Sequence, residues 1–263
     1  YIMATTKIIQ SLERAMSILE LFQNSVVELS LKDISEKLEL NKSTTFGLVN
    51  SLAALGYLLQ NEDNQRYCLG PKILCLTNAL KMNNVLIRIA HPFLEQLSHK
   101  YHETVHSAVQ SDNSVIYLDK VESDSSIFIN TQMGVKNYMY CTGVGKCLLS
   151  YKTEAQIDQI LSFPLKAKTY NTITRREALL NELKLSRERG YSMDNEEIEI
   201  GLTCVGFPVF KGFEDPGFAI SISGATGRIL DKLHSTDLIH DMQAAAAAMS
   251  WQIYNYQLPD VNL

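Results

Sequence analysis

Residues 29–70, LSLKDISEKLELNKSTTFGLVNSLAALGYLLQNEDNQRYCLG, limit the possible folds more than any other stretch of this chain. Ser30 and Asp33 fit a variant of the helix-opening capping box, and Leu31, Ile34 and Leu38 then mark one face of a short helix. Asn41 is a good cap for a second helix. Behind it Leu48, Leu52 and Leu55 recur at helical spacing beside Thr45 and Val49, a face expected to be buried. The opposite face carries Lys42, Ser43, Thr44, Phe46, Gly47, Asn50 and Ser51. Gly56 is suited to end the helix. Residues 57–60 and 66–69 read as strands around a polar turn. Residues 11–22 supply a further amphipathic helix upstream. Three helices and a two-stranded wing make a winged helix-turn-helix, a module that lays its last helix in the DNA major groove. Lys42, Ser43, Thr44, Phe46, Asn50 and Ser51 are then the groups facing DNA, and Arg66 would reach a phosphate from the wing.

At 263 residues the chain is long enough for two domains, and its 46% hydrophobic and 20% charged residues are an ordinary globular mix. No apolar run approaches the ~18 residues that span a membrane, and no basic-then-apolar leader opens the chain, so a cytoplasmic protein without membrane contact is expected. Residues 1–82 hold eight Lys/Arg and eight Asp/Glu and are neutral, so the net charge of −5 lies in the remainder. A neutral module must gather its few cations on one face to meet phosphates, which favours a dimer or larger assembly over a lone copy. The five cysteines contain no CxxC pair, so reduced thiols are expected rather than a disulfide framework or a zinc ribbon.

Gly70-Pro71 closes the wing, and an apolar-rich helix follows to about Met82. A helix over 85–101 comes next and tolerates Pro92. The period then switches to two: strands are expected over 104–110, 115–122, 126–130, 203–210 and 217–223. Helices are expected over 142–151, 154–161, 175–189 and 235–256. Hairpins and helices without regular βαβ alternation give an α+β domain built on an antiparallel sheet flanked by helices. The domains expected are 3–70, a linker helix 71–84, and 85–263.

Thr142-Gly143-Val144-Gly145-Lys146 opens a helix with two glycines, where bare backbone N–H groups can receive a carboxylate or phosphate, or where the glycines merely allow close packing. It is not a P-loop, because Cys147 stands where Ser or Thr is required. The acidic run of Asp194, Glu196, Glu197 and Glu199 reads as a solvated loop, unless one acid turns inward to a ligand. Cys204 and Ser223 fall on strands whose alternation can aim them at a cavity. His99, His102 and His106 are spaced HxxHxxxH, but the third falls on a strand, so one helix face cannot present them all to a metal. No GxSxG, HExxH or nucleophile–base pairing occurs, so neither an enzyme nor a cofactor or metal is expected.

The segments SLERAMSILELF, LNKSTTFGLVNSLAALGY with YCLGPKIL, ETVHSAVQ with VIYLDKVES, CTGVGKCLLS, and GYSMDNEEIEIGLTCVGFPVF followed by SISG resemble the IclR family of bacterial transcription regulators. The resemblance runs from Ser11 to the C-terminal helix. It implies a winged helix-turn-helix joined by a linker helix to a GAF-like effector domain, in a homodimer or homotetramer on a near-palindromic operator. It also implies a repressor of a catabolic operon that senses a small carboxylate such as a sugar acid. The effector would meet Gly143 and Val144 at the helix start, Asp194, Cys204, Ser221 and Ser223, with Leu202 as an apolar wall and Met133 and Gly134 in a pocket-side loop. One departure concerns the helix facing DNA: where the family has His or Tyr and then Arg, this chain has Phe46 and Gly47, so the arginine that could grip guanine is missing. The competing readings are a GAF-type cysteine redox enzyme or sensor using Cys141, Cys147 or Cys204, and a winged helix that contacts protein.

Overall fold

The computed structural model describes residues 8–22, 26–123, 133–212 and 214–256. It divides into two compact units, residues up to Asn83 and residues from Asn84 onward.

The first unit opens with helix α1 (Gln10–Glu20), then α2 (Leu31–Lys37) and α3 (Lys42–Ala54). Both halves of the capping box form: Ser30 Oγ accepts from Asp33 N at 3.1 Å, and Asp33 Oδ2 accepts from Ser30 N at 2.9 Å. Gly56, at φ +80°, occupies the left-handed conformation that ends α3 cheaply only without a Cβ. The wing is β1 (Leu58–Gln60) paired antiparallel with β2 (Tyr67–Leu69). Ile18, Phe22, Leu29, Ile34, Val49, Leu52, Leu58 and Tyr67 form one core. Leu55 does not join it and is 56% exposed. It caps α3 rather than extending it, so the helical period no longer sets its direction. Helix α4 (Lys72–Asn83) completes this unit.

The second unit starts with α5 (Val85–Tyr101), capped by Asn84 Oδ1 accepting from Leu86 N at 3.0 Å. Its six-stranded sheet has the order β5-β4-β3-β8-β7-β6. The strands are β3 (Thr104–Ser111), β4 (Ser114–Val121), β5 (Lys136–Tyr138), β6 (Ser192–Asn195), β7 (Leu202–Gly212) and β8 (Asp215–Ala225). Every neighbouring pair is antiparallel. Helices α6 (Gly143–Leu149), α7 (Glu154–Ile160) and α8 (Arg176–Arg189) lie between β5 and β6 in the chain, and α9 (Thr226–Ser235) and α10 (Leu238–Asn255) follow β8. The α+β class read from the sequence is the fold observed.

Strand alternation divides the side chains cleanly. Val105, Val205, Phe207, Ile220 and Ile222 join Leu94, Leu97, Met242 and Met249 in one core, against α5 and α10. Ala108, Tyr117 and Ala219 join Val144, Cys147, Leu148 and Leu179 on the other face, against α6 and α8.

The closing helix expected over 235–256 is α10, which begins at Leu238, and extended backbone at Thr236 separates it from α9, a further helix that precedes the expected span. Strands β5 and β6 are three and four residues long and poor in apolar residues, so no period-2 signal marks them. The strand expected over 126–130 lies outside the described residues. No helix among the described residues is long and apolar enough to cross a membrane.

Candidate functional site

Helix α3 is held by its buried side. Thr45, Val49 and Leu52 are buried, and Asn41 Oδ1 accepts from Thr44 N at 2.8 Å to fix the first turn. The outward side presents Lys42, Ser43, Phe46, Gly47, Asn50 and Ser51, with Thr44 half-buried. Ser43 Oγ donates to Asn41 Oδ1 at 2.9 Å, and Ser51 Oγ donates to the Gly47 carbonyl at 2.8 Å, leaving their oxygens as acceptors. Arg66 does not stand clear of the fold: its guanidinium is 3.5 Å from Asp33 Oδ2 at the start of α2. The wing turn is tied down by Glu28, whose carboxylate accepts from Asn61 and Asn64 at 3.0 and 2.8 Å.

In the second unit the strand register builds a polar face. Asp194 pairs with Cys204, Cys204 with Ser223, and Ser223 with Thr104. One step along, Ser192 pairs with Gly206, Gly206 with Ser221, Ser221 with His106, and His106 with Lys120. Directly paired residues point to the same side of a sheet, so these nine residues share one face, and Leu202 shares it by alternation. Helix α6 lies on that face. A Cβ on Gly206 would come within 2.6 Å of the Gly143 backbone, so the contact requires glycine. Ser192 Oγ donates to the Gly143 carbonyl, and Thr142 Oγ1 accepts from Gly145 N at 3.1 Å. Every residue of α6 is buried.

Electrostatics follow from that burial. Asp194 is 1% exposed, and its Oδ1 accepts from Glu197 N at 2.8 Å. Burial pushes its carboxyl up to about 7, against the pull of that backbone N–H and with the Glu197 charge adding to the rise. Glu197 Oε1 pairs with Lys146 Nζ. Its buried Oε2 has no hydrogen-bond partner, and burial raises its carboxyl against the opposing charge of Lys146. Burial, reinforced by the Lys120 charge, holds His106 down at about 3, so its imidazole is neutral. Its ring centre is 4.9 Å from that of Tyr117. Met133 is 44% exposed, and Gly134 N donates to the Tyr117 carbonyl at 3.1 Å, which sets this segment against β4.

The thiols fit poorly with redox chemistry. Burial pushes Cys141 up to about 12, with Asp194 adding to the rise, and burial raises Cys147 and Cys204 as well. A reactive thiol needs its pKa lowered. His106 lies buried in the sheet, and among the described residues no group of three His, Cys, Asp or Glu side chains could hold a metal.

Residues 77–251 match the model of the bacterial transcriptional regulator IclR C-terminal domain, and residues 11–62 match the IclR helix-turn-helix domain. The chain belongs to the IclR family. It is therefore an HTH-type transcription regulator. It is 32% identical to the HTH-type transcriptional regulator XynR of Escherichia coli over 92% of this chain and 96% of that protein. It is 31% identical to the transcriptional repressor IclR of Escherichia coli, over 85% of this chain and 82% of that one. The crystal structure of Thermotoga maritima IclR superposes with a TM-score of 0.69 at 30% identity, covering 93% of this chain and 98% of that one. An IclR homolog from Microbacterium hydrocarbonoxydans, complexed with 4-hydroxybenzoate, shares the fold with a TM-score of 0.80 at 21% identity, covering 93% of this chain and 99% of that one.

Sequence reasoning did not bring Thr104, His106, Tyr117 and Lys120 to the face that holds Ser221. In the sequence His106 stands out only through its HxxHxxxH spacing. Its placement depends on β3 lying between β4 and β8, which no local pattern states. In the sequence Lys146 is only part of a glycine motif, and its partner Glu197 only one acid in a run.

Proposed function

We propose that this IclR-family regulator is a cytoplasmic repressor of a catabolic operon, released or engaged by a small carboxylate. It would bind a near-palindromic operator as a homodimer or homotetramer. Lys42, Ser43, Thr44, Phe46, Asn50 and Ser51 of α3 form the proposed DNA face, with Arg66 reaching a phosphate once it leaves Asp33. The effector site is the buried polar face of the sheet: Gly143, Val144, Asp194, Leu202, Cys204, Ser221 and Ser223, with Met133 and Gly134 at its rim.

The observation that carries this reading is the register running Asp194, Cys204, Ser223 across three strands beneath α6. Buried polar groups cost free energy unless something pairs with them. A row of them on one face, away from the apolar core of the opposite face, is placed for a polar ligand. The homolog complexed with an aromatic acid supports the ligand class, and the relative named a repressor supports the direction of control. Binding at this face alters DNA affinity only to the extent that the effector prefers one arrangement of the protein over another.

A thermal-shift screen of small organic acids tests the site. A true effector at 100 times its Kd adds about 2.7 kcal/mol to stability. Asp194→Asn should remove that shift while leaving operator binding intact. A shift that survives Asp194→Asn together with Ser223→Ala would place the ligand elsewhere.

A further inference from the structure

Gly47 sits in the middle of α3 with no structural reason to be glycine. Glycine weakens a helix interior, so it is normally kept there for close packing or a positive φ. Neither applies: its φ is not positive, and a Cβ built on it would meet nothing within 4 Å. Gly70 in the same unit is different, since its Cβ would come within 2.2 Å of the Gly56 carbonyl oxygen. The bare spot at Gly47 lies on the outward stripe of α3, where Ser43, Phe46, Gly47 and Asn50 follow the i, i+3, i+4, i+7 spacing and are exposed. Phe46, 52% exposed, is a large ring left in water beside that gap. Lys42 at the first position is the sole cation of the helix, so no arginine or lysine farther along offers the usual cationic grip on guanine O6 and N7. Asn50 carries the carboxamide whose donor and acceptor match adenine N6 and N7, and an apolar side chain matches the thymine methyl.

Resting on α3 as the DNA-reading helix, we infer that it reads an A·T-rich half-site. Asn50 engages an adenine, Phe46 packs on the methyl of a nearby thymine, and Gly47 is bare so that the helix backbone can seat beside that methyl. The geometry agrees. Phe46 and Asn50 are four residues apart, ~6 Å along the helix, against a base-pair rise of ~3.4 Å, so they address pairs one or two steps apart.

The test uses the full chain and a pool of duplex DNA with a randomised core of about 20 base pairs, enough for two half-sites. In the selected duplex each thymine is then replaced singly by deoxyuridine, which deletes only the methyl. The expected outcome is A·T pairs at two neighbouring positions of each half-site. One thymine per half-site should lose about fourfold in affinity when demethylated, the value of one buried methyl. Phe46→Ala should bind both duplexes alike, and Asn50→Ala should lose its preference at the adenine position. Gly47→Ala should melt at or above the wild-type temperature yet bind the selected duplex more weakly. Selected G·C pairs at those positions, equal binding of thymine and deoxyuridine duplexes by wild type, or full affinity in Gly47→Ala would each overturn the inference. Failure to bind any duplex, selected or not, at low salt would overturn the DNA-reading assignment of α3 itself, and this inference with it.

Discussion

Removing the ammonium of Lys146 should destabilise the second unit selectively. Lys146 and Glu197 have side chains only 1% and 5% exposed, so both charges are withdrawn from water and depend on each other. The pair links α6, whose first residues are Gly143 and Val144, to the turn after β6, whose backbone N–H groups hold Asp194. Deleting one member of such a pair costs about 3–5 kcal/mol, whereas replacing both by neutral groups of similar size is often close to neutral. For a unit of this size each kcal/mol moves the melting temperature by about 2–4 °C, so Lys146→Met should lower it by about 6–20 °C. The double variant Lys146→Met with Glu197→Gln should recover most of the loss. The sign of the pH dependence is fixed too. Burial already raises the Glu197 carboxyl, and without the Lys146 charge it rises further. A group whose folded pKa lies above its unfolded one supports the fold at low pH and weakens it as pH climbs through the folded value. Lys146→Met should therefore melt nearer to wild type at about pH 5 than at about pH 8. Calorimetry of the full chain at both values reads this directly. A single variant within about 1 kcal/mol of wild type at the higher pH, or a double variant no better than the single, would refute the reasoning.

Asp194, raised to about 7, should make the second unit lose stability as pH rises through neutrality, and Asp194→Asn should flatten that slope in thermal melts taken across the same range. Lys42→Ala should weaken binding to all duplexes alike and reduce the slope of log affinity against log salt by about 1 per copy bound; an unchanged slope would remove Lys42 from the phosphate footprint. Gly206→Ala drives a Cβ to 2.6 Å from Gly143, so it should cost about 1–3 kcal/mol by overpacking and abolish the thermal shift given by any acid the wild type binds. A retained shift would show that α6 does not need to lie flat on the sheet.

Much of the fold was legible because it is written in caps and periods. Ser30 and Asn41 each open the helix that their side chains suggest, and Val49 and Leu52 bury as their spacing requires. What escaped notice depends on contacts remote in the chain. Ser192 and Asp194 point inward from a short edge strand with no apolar residue on the inward side, so the acidic run read as solvated loop. The neighbours of His106, Lys120 on one side and Ser221 on the other, come from strands whose order only the folded sheet reveals. Glu197 differs from Glu196 and Glu199 by burial and a lysine partner, neither of which composition records. On α3 the departure at Phe46 and Gly47 was visible at once. That Gly47 serves no packing purpose became visible only from the empty space around it.

Occupancy of the polar sheet face beneath α6 is proposed to set the affinity of α3 for its operator. Reciprocal linkage tests it most directly: the Kd for operator duplex with and without saturating acid, and the Kd for the acid with and without saturating duplex, on the same protein. The two ratios should be equal and differ from one, as thermodynamic coupling demands, and in Asp194→Asn the acid should no longer change the Kd for the operator duplex. Tight binding of both ligands to the wild type with each ratio equal to one would contradict it.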